Sequence, residues 1–317
     1  MEQILIKREL DMDILGAILK IVVAMGLGFF LYKRHILNDE SNDVMSRMIS
    51  LGAAPCMIFS SVLSLDAGRK GDVYILLVGG IGLIATMAIL AFIAARFLSP
   101  DKKTRGVYEA MLTFGNSAFL AFPIGQALMG DLGVSYLAIL NIHQSVFAWS
   151  YGVFQLTKGN EGKAKFSLKK LLNPPIISAV LAIVLYLIGV SVPDIIMEPI
   201  SFIGQICSPL SMVVMGATIA SFSIKNLFNN WRYYVLSVLK LLVVPLIIFA
   251  ICYAIWGQCD ITKVMVIHCA MPTAVIITMI AMIFDADYKT TSAATGLMDI
   301  MCIGTIPAVW AIINLFA

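Results

Sequence analysis

The sequence predicts an all-α polytopic membrane protein, in which ten transmembrane helices form two inverted five-helix repeats and the broken helices 4 and 9 cross. Three observations support this fold class. First, the 317 residues are 60% hydrophobic and only 13% charged, whereas soluble domains are about 25% charged. Second, ten apolar segments follow one another along the chain. Third, the fourth and ninth segments carry polar interruptions near their middles.

The ten apolar segments account for almost the whole chain. A helix needs about 20 residues to cross the hydrocarbon, and only the sixth segment is at the short end of that range. The first repeat is expected to occupy residues 1–157 and the second 173–317, joined by a basic loop at 158–172. The segments cover 14–32, 43–65, 73–97, 107–129, 133–156, 174–190, 197–220, 233–256, 262–284 and 292–316.

The placement of Lys and Arg predicts the orientation in the membrane. One set of connecting loops holds fifteen of the 22 basic residues, the other set holds five, and two lie within segments. Because loops on the cytoplasmic side are enriched in Lys and Arg, the basic set is expected to face the cytoplasm of a cell (inner) membrane protein. Both termini are then expected outside. The basic residues show no nucleic-acid pattern, so the lipid bilayer is the expected surrounding partner and no nucleic acid is expected.

The fourth segment contains the stretch TFGNSAFLAFPIGQALMG, with Gly115, Asn116 and Ser117 near its middle and Pro123 six residues after Ser117. Asn and Ser compete with the backbone for hydrogen bonds, Gly loosens the chain, and Pro removes a donor. Freed backbone groups are costly in hydrocarbon unless protein or a watery cavity surrounds them. The stretch therefore predicts a helix that breaks to line a binding site, or alternatively a Pro-kinked helix satisfied by its neighbours.

The ninth segment, the counterpart of the fourth in the second half, is interrupted by Met271, Pro272 and Thr273. Segments two and seven are matched in the same way by Pro55 and Pro209. Paired interruptions in two inverted halves indicate a transporter's binding site near the middle of the membrane. Since Pro is common in membrane helices, coincidence is the alternative interpretation.

Two crossing broken helices would form a site for an anion. Their second halves begin near the midplane, where free N–H groups and the positive ends of the helix dipoles favour a carboxylate. Asn116 and Ser117 would add side-chain donors, while unwound carbonyls could hold a cation. In the fifth segment, Asn141 and Gln144 are three residues apart and share a helix face. They would complete the pocket or, equally well, form hydrogen bonds between packed helices.

At these residues the chain resembles the auxin efflux carrier family, which includes bacterial malate and malonate permeases. GNSAFLAFP resembles the family's first proline crossover, and AMPTAV, which begins at Ala270, resembles the second. NPPIISAVLAIVLYLIGVSVP and SPLSMVVMGATIA resemble its sixth and seventh helices. The resemblance implies a scaffold of helices 1, 2, 6 and 7, a moving transport part of helices 3–5 and 8–10, and a possible homodimer.

The resemblance assigns Asn116, Ser117 and Pro123 to the first crossover and Pro272 to the second. Two positions differ from the plant members of the family. Gly115 stands where those members often have Pro, and the chain has Ile276 where they have a second Pro in helix 9. Auxin itself is therefore not the expected substrate.

Asp299 lies about halfway along the tenth segment, at a place where the family usually has an apolar residue. Intramembrane carboxylates are rare and are candidates for function. One interpretation is a coupling site that binds H⁺ or Na⁺. The other is a structural partner for Lys240 or for polar groups of the ninth segment, such as Thr273 and Thr278.

The remaining polar residues are expected to have modest roles. Lys20 and Lys240 would extend their ammonium groups to the membrane surface, or pair with a carboxylate or the substrate. Glu109 is expected to be solvated near the inner end of the fourth helix. His143 and His268 have no metal-ligand spacing, so no metal site is expected.

Together these features predict a secondary active transporter of small organic anions, such as malate or malonate, with alternating access and the substrate carboxylate at the crossover. The nearer alternative is a channel or a sodium-coupled organic-acid symporter of the bile-acid type. An intramembrane enzyme is the second alternative, but the sequence has no HExxH motif, no GxSxG triad and one deep carboxylate instead of a pair. No enzymatic activity and no cofactor are therefore expected.

Overall fold

The computed structural model describes residues 2–99, 101–158, 173–221 and 230–316. These residues are helical and contain no β-strand, in agreement with the predicted all-α class. Of the expected basic loop 158–172, only Lys158 is among them, so the rest of that loop lies outside the described residues. The terminal residues whose side of the membrane was predicted, Met1 and Ala317, also lie outside them.

The helices of the described part are numbered in chain order. By length and composition, α2, α3, α5, α7, α8 and α11 can cross a membrane, and α6 is a shorter apolar helix. The described chain is thus that of an all-helical, multi-pass membrane protein. The bounds are α1 Glu2–Lys33, α2 Asp39–Leu63, α3 Ala67–Leu98, α4 Lys102–Thr113, α5 Phe119–Leu156, α6 Pro174–Ile188, α7 Asp194–Ser221, α8 Trp231–Trp256, α9 Asp260–Cys269, α10 Val275–Ile283 and α11 Tyr288–Asn314.

Three π-helical turns each end two residues before a proline. They lie at Ile49–Ala53, Ser117–Ala121 and Leu239–Val243, before Pro55, Pro123 and Pro245. A proline has no N–H, and its ring collides with the carbonyl four residues earlier, so the preceding turn widens. The sequence thus places the local distortions of α2, α5 and α8.

The long helix α5 is divided at Gly130, whose backbone has φ 62° and ψ −150°. Its two arms, 119–129 and 131–156, approach closely just beyond this point. A Cβ atom on Gly133 would lie 2.5 Å from the carbonyl oxygen of Gly125. Gly130 therefore separates the predicted fourth segment from the fifth.

Helix α4 begins after Asp101, which accepts hydrogen bonds from the Thr104 backbone and hydroxyl, both at 2.9 Å. These two bonds, the backbone one first, lower the pKa of Asp101 below its usual value. The helix ends at Thr113, and helical structure resumes with the π turn at Ser117. A second gap separates the end of α9 at Cys269 from the start of α10. Both predicted interruptions are therefore gaps in the helical backbone.

Helices α1 and α7 pack with almost no space between their backbones. A Cβ atom on Gly28 would lie 2.0 Å from the Val213 carbonyl oxygen, and one on Gly216 would lie 1.9 Å from that of Met25. Small residues allow such close contact between membrane helices, where packing replaces the hydrophobic driving force. The α1–α7 pair is thus joined by glycine-mediated contact.

Candidate functional site

The two helix gaps lie directly against each other. The backbone N–H of Asn116 donates to the carbonyl of Pro272 at 2.7 Å, and that of Ala274 donates to Phe114 at 3.0 Å. These bonds form an isolated antiparallel bridge between Gly115 and Thr273. Each gap therefore satisfies part of the backbone that the other leaves open.

Side chains satisfy the carbonyls freed at the end of α4. The Thr273 hydroxyl donates to Met111 O at 3.0 Å, and the Lys240 ammonium donates to Leu112 O at 2.9 Å. A cation at this position also complements the negative end of the α4 dipole. Lys240 is fully buried, so the expectation that it extends to the membrane surface is wrong.

Gln144 forms hydrogen bonds to the backbone of Gly115 through both the oxygen and the nitrogen of its side-chain amide. Its Oε1 accepts the Gly115 N–H at 3.3 Å, and its Nε2 donates to Gly115 O. This pair of bonds holds the first gap in an extended form. Gln144 also borders a cavity, and each of its amide atoms makes one bond to Gly115.

We expect Gln144→Leu to lower the free energy of unfolding by about 1–3 kcal/mol, because it leaves the buried N–H of Gly115 unpaired. The measurement is thermal unfolding of the purified protein in detergent. Gln126→Leu is the matched control. The Gln126 side-chain oxygen is buried without a hydrogen-bond partner, so removing it leaves no backbone group unpaired. Equal losses for the two variants would contradict the proposed role of Gln144.

A cavity of about 340 Å³ lies beside the paired gaps, between α2, α5, α10 and the start of α6. Its apolar wall includes Leu51, Phe119, Val275 and Met279. In the described part of the chain, no charged side chain lines it. The polar residues that line it are Ser50, Asn116, Ser117, Asn141, Gln144, Ser145 and Asn173.

Asn116 is the polar side chain best placed to receive a ligand. Its Oδ1 accepts the N–H of Phe119 at 3.3 Å, while its Nδ2 is buried and has no hydrogen-bond partner. A buried donor without a partner is costly, and in a native structure it indicates a bound group or water. The neighbouring Ser117 hydroxyl lies 3.4 Å from Nδ1 of His268.

The other residues expected at the site form two groups. Asn141 lines the cavity from the helix face that it shares with Gln144. Met271, Pro272 and Thr273 are buried in the second gap and do not line it. They hold the gaps together, with Gly115, against which Met271 packs closely. Pro123 is buried in the first turns of α5, behind the π turn.

Two ionisable residues differ from expectation. Glu109 is not solvated: its side chain is 1% exposed and pairs with Lys158 at 2.7 Å between Oε2 and Nζ. His268, which the spacing rules gave no role, is buried one turn before Pro272 and contacts Ser117. The sequence feature that could have indicated a role for His268 is its position one turn before the second helix gap.

Asp299 is buried in α11, and its Oδ1 has no hydrogen-bond partner. Lys240 and Thr273, its expected structural partners, instead donate to α4 carbonyls. Within the described residues, no hydrogen bond or ion pair joins Asp299 to Lys240, Thr273 or Thr278. Among the described residues, no group of three or more His, Cys, Asp or Glu side chains could hold a metal ion.

Several long apolar helices around two facing backbone gaps, with a cavity beside the gaps that several polar side chains line, are features of a membrane transport protein. The sequence profile of the family described as "Membrane transport protein" matches residues 13–310. The chain belongs to this family, the auxin efflux carrier family that its proline motifs resemble.

Curated relatives agree with this assignment. The chain is similar to uncharacterized transporters of Methanocaldococcus jannaschii, 21% identical over 88% of this chain and 92% of the relative, and of Methanothermobacter thermautotrophicus, 22% identical over 93% and 97%. It is also similar to the uncharacterized transporter YfdV of Escherichia coli, 23% identical over 92% and 95%. These names indicate a membrane transporter and name no substrate.

Proposed function

We propose that this membrane transporter is a secondary carrier of small carboxylates, of which malate and malonate are the first candidates, and that it binds them in the cavity beside the helix gaps. The observation that carries the proposal is the buried Asn116 Nδ2, which lines the cavity and has no partner. A carboxylate oxygen is the acceptor that would satisfy this donor.

The backbone around the cavity also favours an anion. The π turn that begins at Ser117 and helix α10, which begins at Val275, both start at its wall. The first N–H groups of a helix have no partners within it and carry the positive end of its dipole. Asn141 and Ser145 would supply further neutral donors. Together these groups would bind a carboxylate without a cationic side chain.

The position of the cavity suits alternating access. In the proposed ten-helix architecture, α2 and α6 belong to the scaffold, whereas α5 and α10 belong to the moving transport part, and the cavity lies between these groups. It borders the start of α6, which follows the expected cytoplasmic loop. At the opposite end of α2, the Ser61 hydroxyl donates to the carboxylate of Asp131 at 3.1 Å, next to Gly130, where α5 is divided. A cavity near the expected cytoplasmic side, with α2 and α5 in contact at the other end, is expected of an inward-facing state.

The proposal includes the finer features expected from the sequence. They are two inverted five-helix repeats with helices 4 and 9 crossing at the gaps, a location in the cell (inner) membrane, both termini outside and a homodimer. The malate and malonate permease branch is the proposed affiliation within the family. H⁺ or Na⁺ is the proposed coupling ion. An uptake assay in proteoliposomes with labelled mono- and dicarboxylates, with and without Na⁺ and a pH gradient, tests the transport function.

We expect Asn116→Ala to weaken carboxylate binding by roughly 1.5–3 kcal/mol, the usual contribution of a hydrogen bond to a charged group. This corresponds to an increase of about 10-fold to 150-fold in the dissociation constant. Competition against labelled malate or malonate in proteoliposomes measures it. Asn116→Asp should bind still more weakly, since it keeps the oxygen that caps Phe119 but replaces the free donor with a negative charge.

Asn314→Ala is the control for these two variants, because Asn314 ends α11 and only donates to the carbonyl of Trp310. It should bind the carboxylate as the unmodified protein does. Unchanged affinity in folded Asn116→Ala and Asn116→Asp proteins would exclude Asn116 from the binding site.

A further inference from the structure

Asp299 carries a buried carboxyl group that has no hydrogen bond or ion pair to another side chain of the described residues. The residue is 3% exposed, and its Oδ1 has no hydrogen-bond partner. One turn earlier on the same face of α11, the hydroxyl of Thr295 is also buried without a partner. An ionised carboxylate in such surroundings is strongly destabilised, and a group of this kind takes up a proton instead.

The ionisable groups on the surrounding helices do not neutralise Asp299. On α8, Lys240 donates to Leu112 O, and on α9, His268 lies against Ser117. On α7, Cys207 is a buried free thiol, and α10 has no ionisable side chain. On α11 itself, the Cys302 thiol donates to the backbone carbonyl of Asp299 and not to its carboxyl group. Among the ion pairs of the described residues, none includes Asp299.

Asp299 is also connected to the paired helix gaps. The preceding residue, Met298, has its sulfur 3.2 Å from the Thr273 hydroxyl, which donates to Met111 O at the end of α4. A change of charge at Asp299 would therefore act on a helix that contacts the second gap at Thr273, which in turn binds the end of α4. Asp299 does not line the cavity itself. It is thus separate from the proposed carboxylate site but adjacent to the backbone that forms it.

We infer that Asp299 is a proton-binding site, which holds one proton in this conformation and couples carboxylate transport to proton movement. The inference rests on the proposed function and selects H⁺ over Na⁺. One proton binds to a carboxylate oxygen of Asp299 on one side of the membrane and leaves it on the other, and no other bond changes. A hard metal cation needs a shell of several oxygen ligands. On α11, the one side-chain oxygen adjacent to Asp299 is that of Thr295, so this helix does not supply such a shell.

The electrostatics of the cavity give this proton a role. No charged side chain lines the cavity in the described part of the chain, so a bound carboxylate would carry its negative charge across the membrane. Moving a net charge against the membrane potential costs energy in proportion to that charge. A proton on Asp299 that travels with the substrate reduces the net charge moved.

Infrared difference spectroscopy on the purified protein tests directly whether Asp299 is protonated. The unmodified protein should show the carbonyl band of a protonated carboxylic acid, and Asp299→Asn should lose it. Asp194→Asn, a change at an exposed carboxyl in the first turn of α7, should retain it. A spectrum that is the same for Asp299→Asn and the unmodified protein would overturn the inference. If the Asn variant does not fold, Asp299→Leu serves, because it also removes the acid.

Transport in proteoliposomes tests the coupling, with labelled malate and malonate as the probes. Asp299→Asn should lose uptake driven by a pH gradient and keep exchange of the same carboxylate across the membrane. Uptake driven by the pH gradient at the unmodified rate would exclude Asp299 as the coupling site. If the unmodified protein moves neither carboxylate in either mode, the transport proposal fails for these substrates, while the infrared band still decides whether Asp299 holds a proton.

Discussion

Lys158→Met should lower the free energy of unfolding by about 3–5 kcal/mol, because it leaves the buried carboxylate of Glu109 without its counterion. The Lys158 Nζ lies 2.7 Å from Glu109 Oε2, and the other oxygen, Oε1, already has no hydrogen-bond partner. Nothing else on the described helices is bonded to this side chain to take over the role of Lys158. Thermal unfolding in detergent measures the loss.

A double variant separates charge from packing. Glu109→Gln with Lys158→Met removes both charges together, and it should recover most of the stability lost in the single variant. A double variant as unstable as Lys158→Met alone would contradict a role for the ion pair. The pair joins α4, which leads into the first gap, to the end of α5. We therefore expect the single variant to lose transport in parallel with stability.

Gly216→Val should destabilise the protein by about 3 kcal/mol, the upper end of the usual cost of overpacking. Its Cβ would lie 1.9 Å from the carbonyl oxygen of Met25, so α1 and α7 would have to move apart. The obstructing atom belongs to the backbone and cannot rotate away. Thermal unfolding of the purified variant provides the measurement.

Gly26→Val in α1 is the matched control, because a Cβ at Gly26 would have no neighbour within 4 Å. It should change stability little, since Val is the better helix former of the two. Gly28→Val, which places a Cβ 2.0 Å from Val213 O, should behave like Gly216→Val. A mild effect at both contact glycines would show that α1 and α7 separate without cost.

The sequence predicted both helix gaps because their residues act locally. Asn116 and Ser117 offer the backbone alternative hydrogen bonds, and Pro123 and Pro272 cannot donate one, whatever surrounds them. The shared helix face also placed Asn141 with Gln144, and both border the cavity. Local rules did not predict how Gln144 is used, since its partner Gly115 lies 29 residues away.

Buried charges were the main failure of prediction from sequence. Lys240 was expected at the membrane surface or paired with a carboxylate or the substrate, and Glu109 in water, because a charged side chain alone is costly to bury. Each is buried with a partner distant in the chain: Leu112 O, 128 residues from Lys240, and Lys158, 49 residues from Glu109. Such pairings depend on which helices become neighbours, which periodicity and composition do not specify.

By itself, the sequence determined the all-helical membrane class, the family, the positions of the gaps and the prolines that distort α2, α5 and α8. These follow from hydropathy, from motifs and from the geometry of individual residues. Only the tertiary structure decided that the gaps face each other, that Thr273, Lys240 and Gln144 bond to the backbone at the first gap, and that Nδ2 of Asn116 has no partner beside a cavity. The physical reason is that every buried polar backbone group must find a partner, and the partner is supplied by whichever helix packs beside it.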